Sequence, residues 1–174
     1  MLKLLTNRGL SSSISRYAGP ISAARFYTKY PQNEQIFVHP HDKVFKLSFS
    51  PEENSLPLGY SSTSKDITPG NFQANQAFVS LLHEIIAKNI QDDFCFIMEA
   101  GTFANSFMPI YDFREVPRYG RTPEVDSTFG YVQVDSNGKM VPGTYESNNM
   151  YRLCNGQGLI KLSDHLHEMV MKNI

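Results

Sequence analysis

The sequence predicts an α+β fold, and three observations predict it. An apolar stripe recurs at spacings of three and four through Ala74, Ala77, Phe78, Leu81, Leu82, Ile85 and Ile86, the period of an amphipathic helix. A hairpin signal follows, in which Tyr131-Val132-Gln133-Val134 leads through Asn137-Gly138 to Met140-Val141. The chain then closes on a second apolar stripe, Leu162, Leu166, Met169, Val170 and Ile174, opened by Ser163. Helix, antiparallel strands and helix in that order predict a small C-terminal meander with an amphipathic helix before it and a helix after it.

The 174 residues suit one domain, and a chain of this size buries enough apolar surface to fold alone. No run of 18 apolar residues is present, which excludes a membrane-spanning helix. Residues 1–33 hold Lys3, Arg8, Arg16, Arg25 and Lys29 but no acid, with serines at 11, 12, 13 and 15. A basic, Ser-rich, acid-free start is the composition of a mitochondrial transit peptide. Leu2, Leu4, Leu5, Leu10, Ile14 and Tyr17 supply the apolar side that such a helix lays on an anionic membrane. Arg25-Phe26-Tyr27 before Thr28 resembles a fungal presequence processing site, so residues 1–27 are expected to be removed. Their loss takes the net charge from −1 to −5. An acidic mature chain is a poor match for nucleic acid, whose phosphates demand cations.

Residues 28–70 are expected to form an N-terminal arm and a Ser/Pro-rich linker, with one strand at Val44–Phe49. The folded unit is expected over 71–174. Its first helix starts from Thr68-Pro69 or Asn71. Phe94-Cys95-Phe96-Ile97-Met98, short and apolar between Asp92-Asp93 and Ala100-Gly101, reads as a buried strand. Phe103–Ile110 reads as irregular. Met150–Cys154 reads as a strand that turns at Asn155-Gly156-Gln157-Gly158 to pair with Leu159–Leu162.

Most chemistry-bearing patterns are incomplete. His83-Glu84 and His167-Glu168 each lack the second histidine one helical turn on that zinc proteases need. His165 and His167 lie about 200° apart around a helix, so no metal is expected, and the histidines are expected at the surface. There is no nucleophile elbow and no dinucleotide loop, and Cys95 and Cys154 read as buried free thiols. No cofactor is expected.

One stretch stands out. Ile110–Asp126 holds Arg114, Arg118 and Arg121, four carboxylates, Pro117, Pro123 and Gly120. Its prolines and glycine predict an ordered loop. Three roles compete. Asp112, Glu115, Glu124 and Asp126 could lock the arginines internally, and this reading leads. Arg114, Arg118, Tyr119 and Arg121 could dock a protein partner, since Arg and Tyr favour interfaces. The three guanidinium forks could also hold an anionic metabolite.

Pro109–Pro123, Phe129-Gly130-Tyr131-Val132 and Tyr151-Arg152-Leu153-Cys154 together resemble a group of small fungal mitochondrial proteins of uncharacterised function, over about residues 70–174. The resemblance implies a mitochondrial location and brings no reaction, cofactor or catalytic residue. The expectation is a mitochondrial accessory or assembly protein docking on a larger complex, at the matrix or the matrix face of the inner membrane. The alternative is a small enzyme or ligand-binding domain.

Overall fold

The structure, a computed structural model, describes residues 27–117 and 121–174. Expectations for the presequence, Arg118 and Tyr119 therefore fall outside the described residues.

Five strands open the fold as one antiparallel sheet in chain order: β1 (Thr28–Tyr30), β2 (Asn33–His41), β3 (Val44–Ser48), β4 (Gly59–Ser61) and β5 (Phe72–Ala74). One face of this sheet carries Ile36, Val38 and Leu47 into the core. The connection after β3 folds back over the other face. There Lys46 donates to the carbonyls of Glu53 and Ser55, the latter at 2.7 Å. Ser48 and Ser55 share a hydroxyl–hydroxyl bond of 2.7 Å, and His39 Nε2 donates to Ser50 O at 3.1 Å. Burial pushes the Lys46 ammonium below its usual pKa, and the nearby Glu53 opposes that shift.

The sheet packs on helix α1 (Gln76–Asn89), which buries Phe78, Leu82, Ile85 and Ile86. Helix α2 (Phe94–Ala100) follows, then a second antiparallel sheet ordered β6 (Phe107–Tyr111), β7 (Thr128–Gln133), β8 (Glu146–Ser147). The hairpin β9 (Cys154–Asn155) and β10 (Gly158–Leu159) leads to helix α3 (Asp164–Met171). The architecture is α+β, and all its layers share a single buried core. Ser163 caps α3 as expected, its hydroxyl accepting from Leu166 N–H at 3.1 Å. The expected turn at Asn137-Gly138 is present, with Gly138 at φ +74° and Val134 bridged to Met140. No helix among the described residues is long and apolar enough to cross a membrane.

Five readings need correction. Residues 28–70 are not an arm and linker but carry most of the first sheet. Long-range amide bonds tie them to the far end of the chain. The Gln35 side chain donates to Leu162 O and accepts from Leu162 N–H, both at 2.9 Å, while Asn33 donates to Ile160 O at 2.8 Å. The first helix starts at Gln76, because Asn75 is its cap. Asn75 accepts from Ala77 N–H at 3.1 Å and donates to Pro57 O at 2.9 Å, leaving 72–74 free to be a strand.

Phe94–Met98 is helical rather than a buried strand. Asp93, itself buried, accepts from Cys95 N–H at 3.0 Å and also from the Ser163 hydroxyl, so the two helix starts share a joint. Only Phe96 and Ala100, one turn apart, face the core. Phe94, Ile97 and Met98 are exposed. Phe103–Ile110 is not irregular throughout, since 107–111 pairs with β7. The expected strand at 150–154 is reduced to two residues, although Ile160 N–H still reaches Leu153 O at 2.8 Å.

Gly130 is required by close approach. A Cβ there would sit 2.1 Å from Glu146 O and 2.8 Å from the Tyr145 ring.

Candidate functional site

Arg114, near the start of the charged stretch, faces inward. Its side chain is 3% exposed and its partner Asp112 0%. Arg114 Nε donates to both Asp112 oxygens, at 2.8 and 2.7 Å, and Nη2 pairs with the same carboxylate. The remaining donors cap backbone carbonyls across the β9–β10 hairpin: Gly158 O at 2.8 Å, Leu153 O at 3.4 Å and Arg152 O at 2.6 Å. Tyr151 completes the cluster, its hydroxyl donating to Asp112 at 3.2 Å and its ring 5.7 Å from the guanidinium.

Burial pushes the Asp112 carboxyl above its ordinary pKa, and the hydrogen bonds and charge of Arg114 pull against that shift. For Arg114, burial works against the cation, but Tyr151 and Asp112 outweigh it, and the guanidinium stays charged. Burial also raises the Tyr151 phenol well above its usual range, with Asp112 adding to the shift. The pair is a structural rivet that pins the start of the loop to the hairpin. It has no guanidinium edge left for an anionic metabolite.

The other expected pairings are not made among the described residues. Asp126 accepts instead from the Asn155 amide at 3.1 Å. Glu115 and Glu124 form no ion pair with a described residue, and Arg121 is exposed without one among them. Arg121 borders a shallow notch of 350 Å³ with Glu115, Val116 and Glu124.

A much larger cleft, 1220 Å³, opens on the other side of residues 124–126. One wall is the consecutive run Phe72-Gln73-Ala74, continued by Gln76, Ser80 and His83 of α1. The facing wall is Glu124–Asp126 and the run 147–154. That second wall is held rigidly. Asn148 donates to Val125 O at 2.7 Å and Thr128 O at 2.9 Å, and Arg152 N–H donates to Asp126 O at 3.0 Å.

His83 enters the cleft from α1. Its Nδ1 lies 2.9 Å from the Tyr145 hydroxyl, which itself donates to Phe129 O at 3.1 Å. A phenol has one proton, so both contacts are hydrogen bonds only if His83 Nδ1 carries the hydrogen. Burial lowers the His83 pKa and favours the neutral ring, leaving Nε2 as a lone-pair acceptor. Burial also raises the Tyr145 phenol, which stays protonated.

The histidines are not a surface set. His39 is buried and His167 packs edge-on to Phe49, ring centroids 5.3 Å apart. Cys154 is buried, its thiol pushed up by that burial, but Cys95 is exposed because it sits on the outer side of α2. No group of three metal-ligating side chains occurs among the described residues.

Sequence reasoning missed the cleft. Its walls come from three separate segments, 69–83, 124–126 and 147–154, and only His83, as an isolated polar residue beside the α1 stripe, carried any signal. No family model matches the chain, and neither the curated proteins nor the solved structures yield a match.

Proposed function

We propose that this chain is a mitochondrial accessory or assembly protein without catalytic activity, docking on a larger mitochondrial complex. The observation that carries the docking reading is the division of labour in the 112–126 segment. Its root is riveted by Asp112 and Arg114, while Glu115, Val116, Arg121 and Val125 stay exposed. A segment anchored by its root with flanking side chains in solvent is a common form of recognition surface. Val116 is 63% exposed, more than a core-forming valine would be. The mitochondrial part of the reading is supported by the acid-free, basic and Ser-rich N-terminus.

The test is affinity isolation with crosslinking from mitochondria of the protein's own cells. Wild type is compared with a Val116→Asp, Arg121→Glu double variant. The expected result is a reproducible set of subunits from one complex, lost in the variant while its thermal melt is unchanged. A tagged chain that stays outside mitochondria, or runs as a monomer with nothing crosslinked, overturns the reading.

A further inference from the structure

Both sheets leave one edge unpaired at the same cleft. In the first sheet β5 is the outermost strand, bonded only to β4, and in the second β8 is outermost, bonded only to β7. Opposed residues of an antiparallel pair alternate between exchanging two backbone hydrogen bonds and exchanging none. Ser62 N–H reaches Asn71 O at 3.2 Å and Asn75 N–H reaches Leu58 O at 2.8 Å. Residues 71, 73 and 75 therefore bond toward β4. Phe72 and Ala74, the alternate residues, aim their N–H and C=O groups away from it. Neither residue's backbone has another partner among the described residues.

The same parity holds across the cleft. Asn148 N–H reaches Phe129 O at 2.8 Å, so Ser147, one residue back and opposite Gly130, turns its N–H and C=O away from β7. Phe72, Ala74 and Ser147 all line the cleft. That three consecutive residues of β5 line it shows the edge of the sheet, not one of its faces, bordering the space.

We propose that this cleft binds an extended peptide segment of a partner protein by strand addition on β5. Main-chain bonds to Phe72 and Ala74 supply the affinity, and the Asn149 amide on the facing wall reads the far side of the added backbone. The molecule already uses this chemistry on itself, where the Gln35 amide pairs with both backbone groups of Leu162.

Volume supports a peptide over a metabolite. Small-molecule sites span about 300–1,000 Å³, and this cleft, at 1220 Å³, leaves room for a longer extended segment. Its charged lining is Glu124, Asp126 and Arg152, beside neutral His83. That balance suits an uncharged or mildly basic segment, with a hydrogen-bond donor placed against His83 Nε2.

This inference does not use Glu115, Val116 or Arg121 and does not depend on the mitochondrial reading, so either can fail alone. The probe is a bead-displayed library of short random peptides screened with the full chain. The strongest binder is then made synthetically, with and without N-methylation at alternate amides. Ala74→Pro removes the outward N–H while leaving the β4–β5 bonds in place.

The expected result is binding that falls about tenfold or more on either change, as loss of a paired backbone donor requires. Hydrogen exchange at the Phe72 and Ala74 amides, fast in the free protein, should slow when the unmodified peptide binds. N-methylation leaves the protein untouched, so the proposal remains testable if Ala74→Pro fails to fold. It is overturned if the library yields no binder, or if binding ignores N-methylation. Protection appearing at the exposed face of α2 instead of β5 also overturns it.

Discussion

The charged stretch 112–126 and the cleft beside it invert what their compositions suggest. The stretch is dense in arginine and carboxylate, yet its best-placed arginine is sealed inside, every donor engaged. The cleft holds few charges, yet it presents unpaired backbone groups and a histidine with a free acceptor. A charge buried with its counter-ion is bound to its own fold. A polar group left unpaired at a strand edge is available to something else.

The contrast is broken most severely at the rivet. Asp112→Ala strands a buried guanidinium and is expected to cost about 3–5 kcal/mol in urea unfolding. An Asp112→Leu, Arg114→Met double variant should recover much of that loss, because the unpaired charge is gone. If the single variant stays within about 0.5 kcal/mol of wild type, Arg114 is not sealed in solution.

Tyr151→Phe is the next largest. It removes one hydrogen bond to a buried carboxylate, worth about 1.5–3 kcal/mol, and leaves the ring in place. Unchanged stability would mean that the phenol does not reach Asp112.

A smaller effect follows from pH. Burial holds His83 and His167 below the ordinary imidazole pKa, so the unfolded chain takes up protons first as pH falls. Their contribution is complete above about pH 7 and is lost as pH drops through about 6.5 toward the lower folded values. His167→Leu should flatten that decline in unfolding measurements at successive pH values. An identical slope would place the titration elsewhere.

The smallest change is expected at Arg121. Arg121→Ala, exposed and outside any ion pair with a described residue, should leave stability within about 0.5 kcal/mol. A larger loss would show Arg121 held by the fold and would end the difference between Arg114 and Arg121.

Local patterns were legible where local physics decides. The stripe of α1, the Ser163 cap and the Asn137-Gly138 turn all follow from spacing and backbone preference within a few residues. Residues 94–98 were misread because a short apolar run suits strand or helix equally, and the deciding cap, Asp93, is held by Ser163 seventy residues away. Residues 28–70 looked like a linker because their Ser, Pro and Gly content hides three-residue strands. Those strands persist only because neighbours pair with them.

By itself the sequence determined the α+β class, the amphipathic helices and the density of charge at 112–126, since periodicity and composition are properties of neighbouring residues. Tertiary structure alone decided which charges are free. Arg114 is silenced by carbonyls from 152–158, and the cleft exists because two sheets end side by side with Phe72, Ala74 and Ser147 unpaired. Pairing and burial are relations between distant segments, and no local pattern records them.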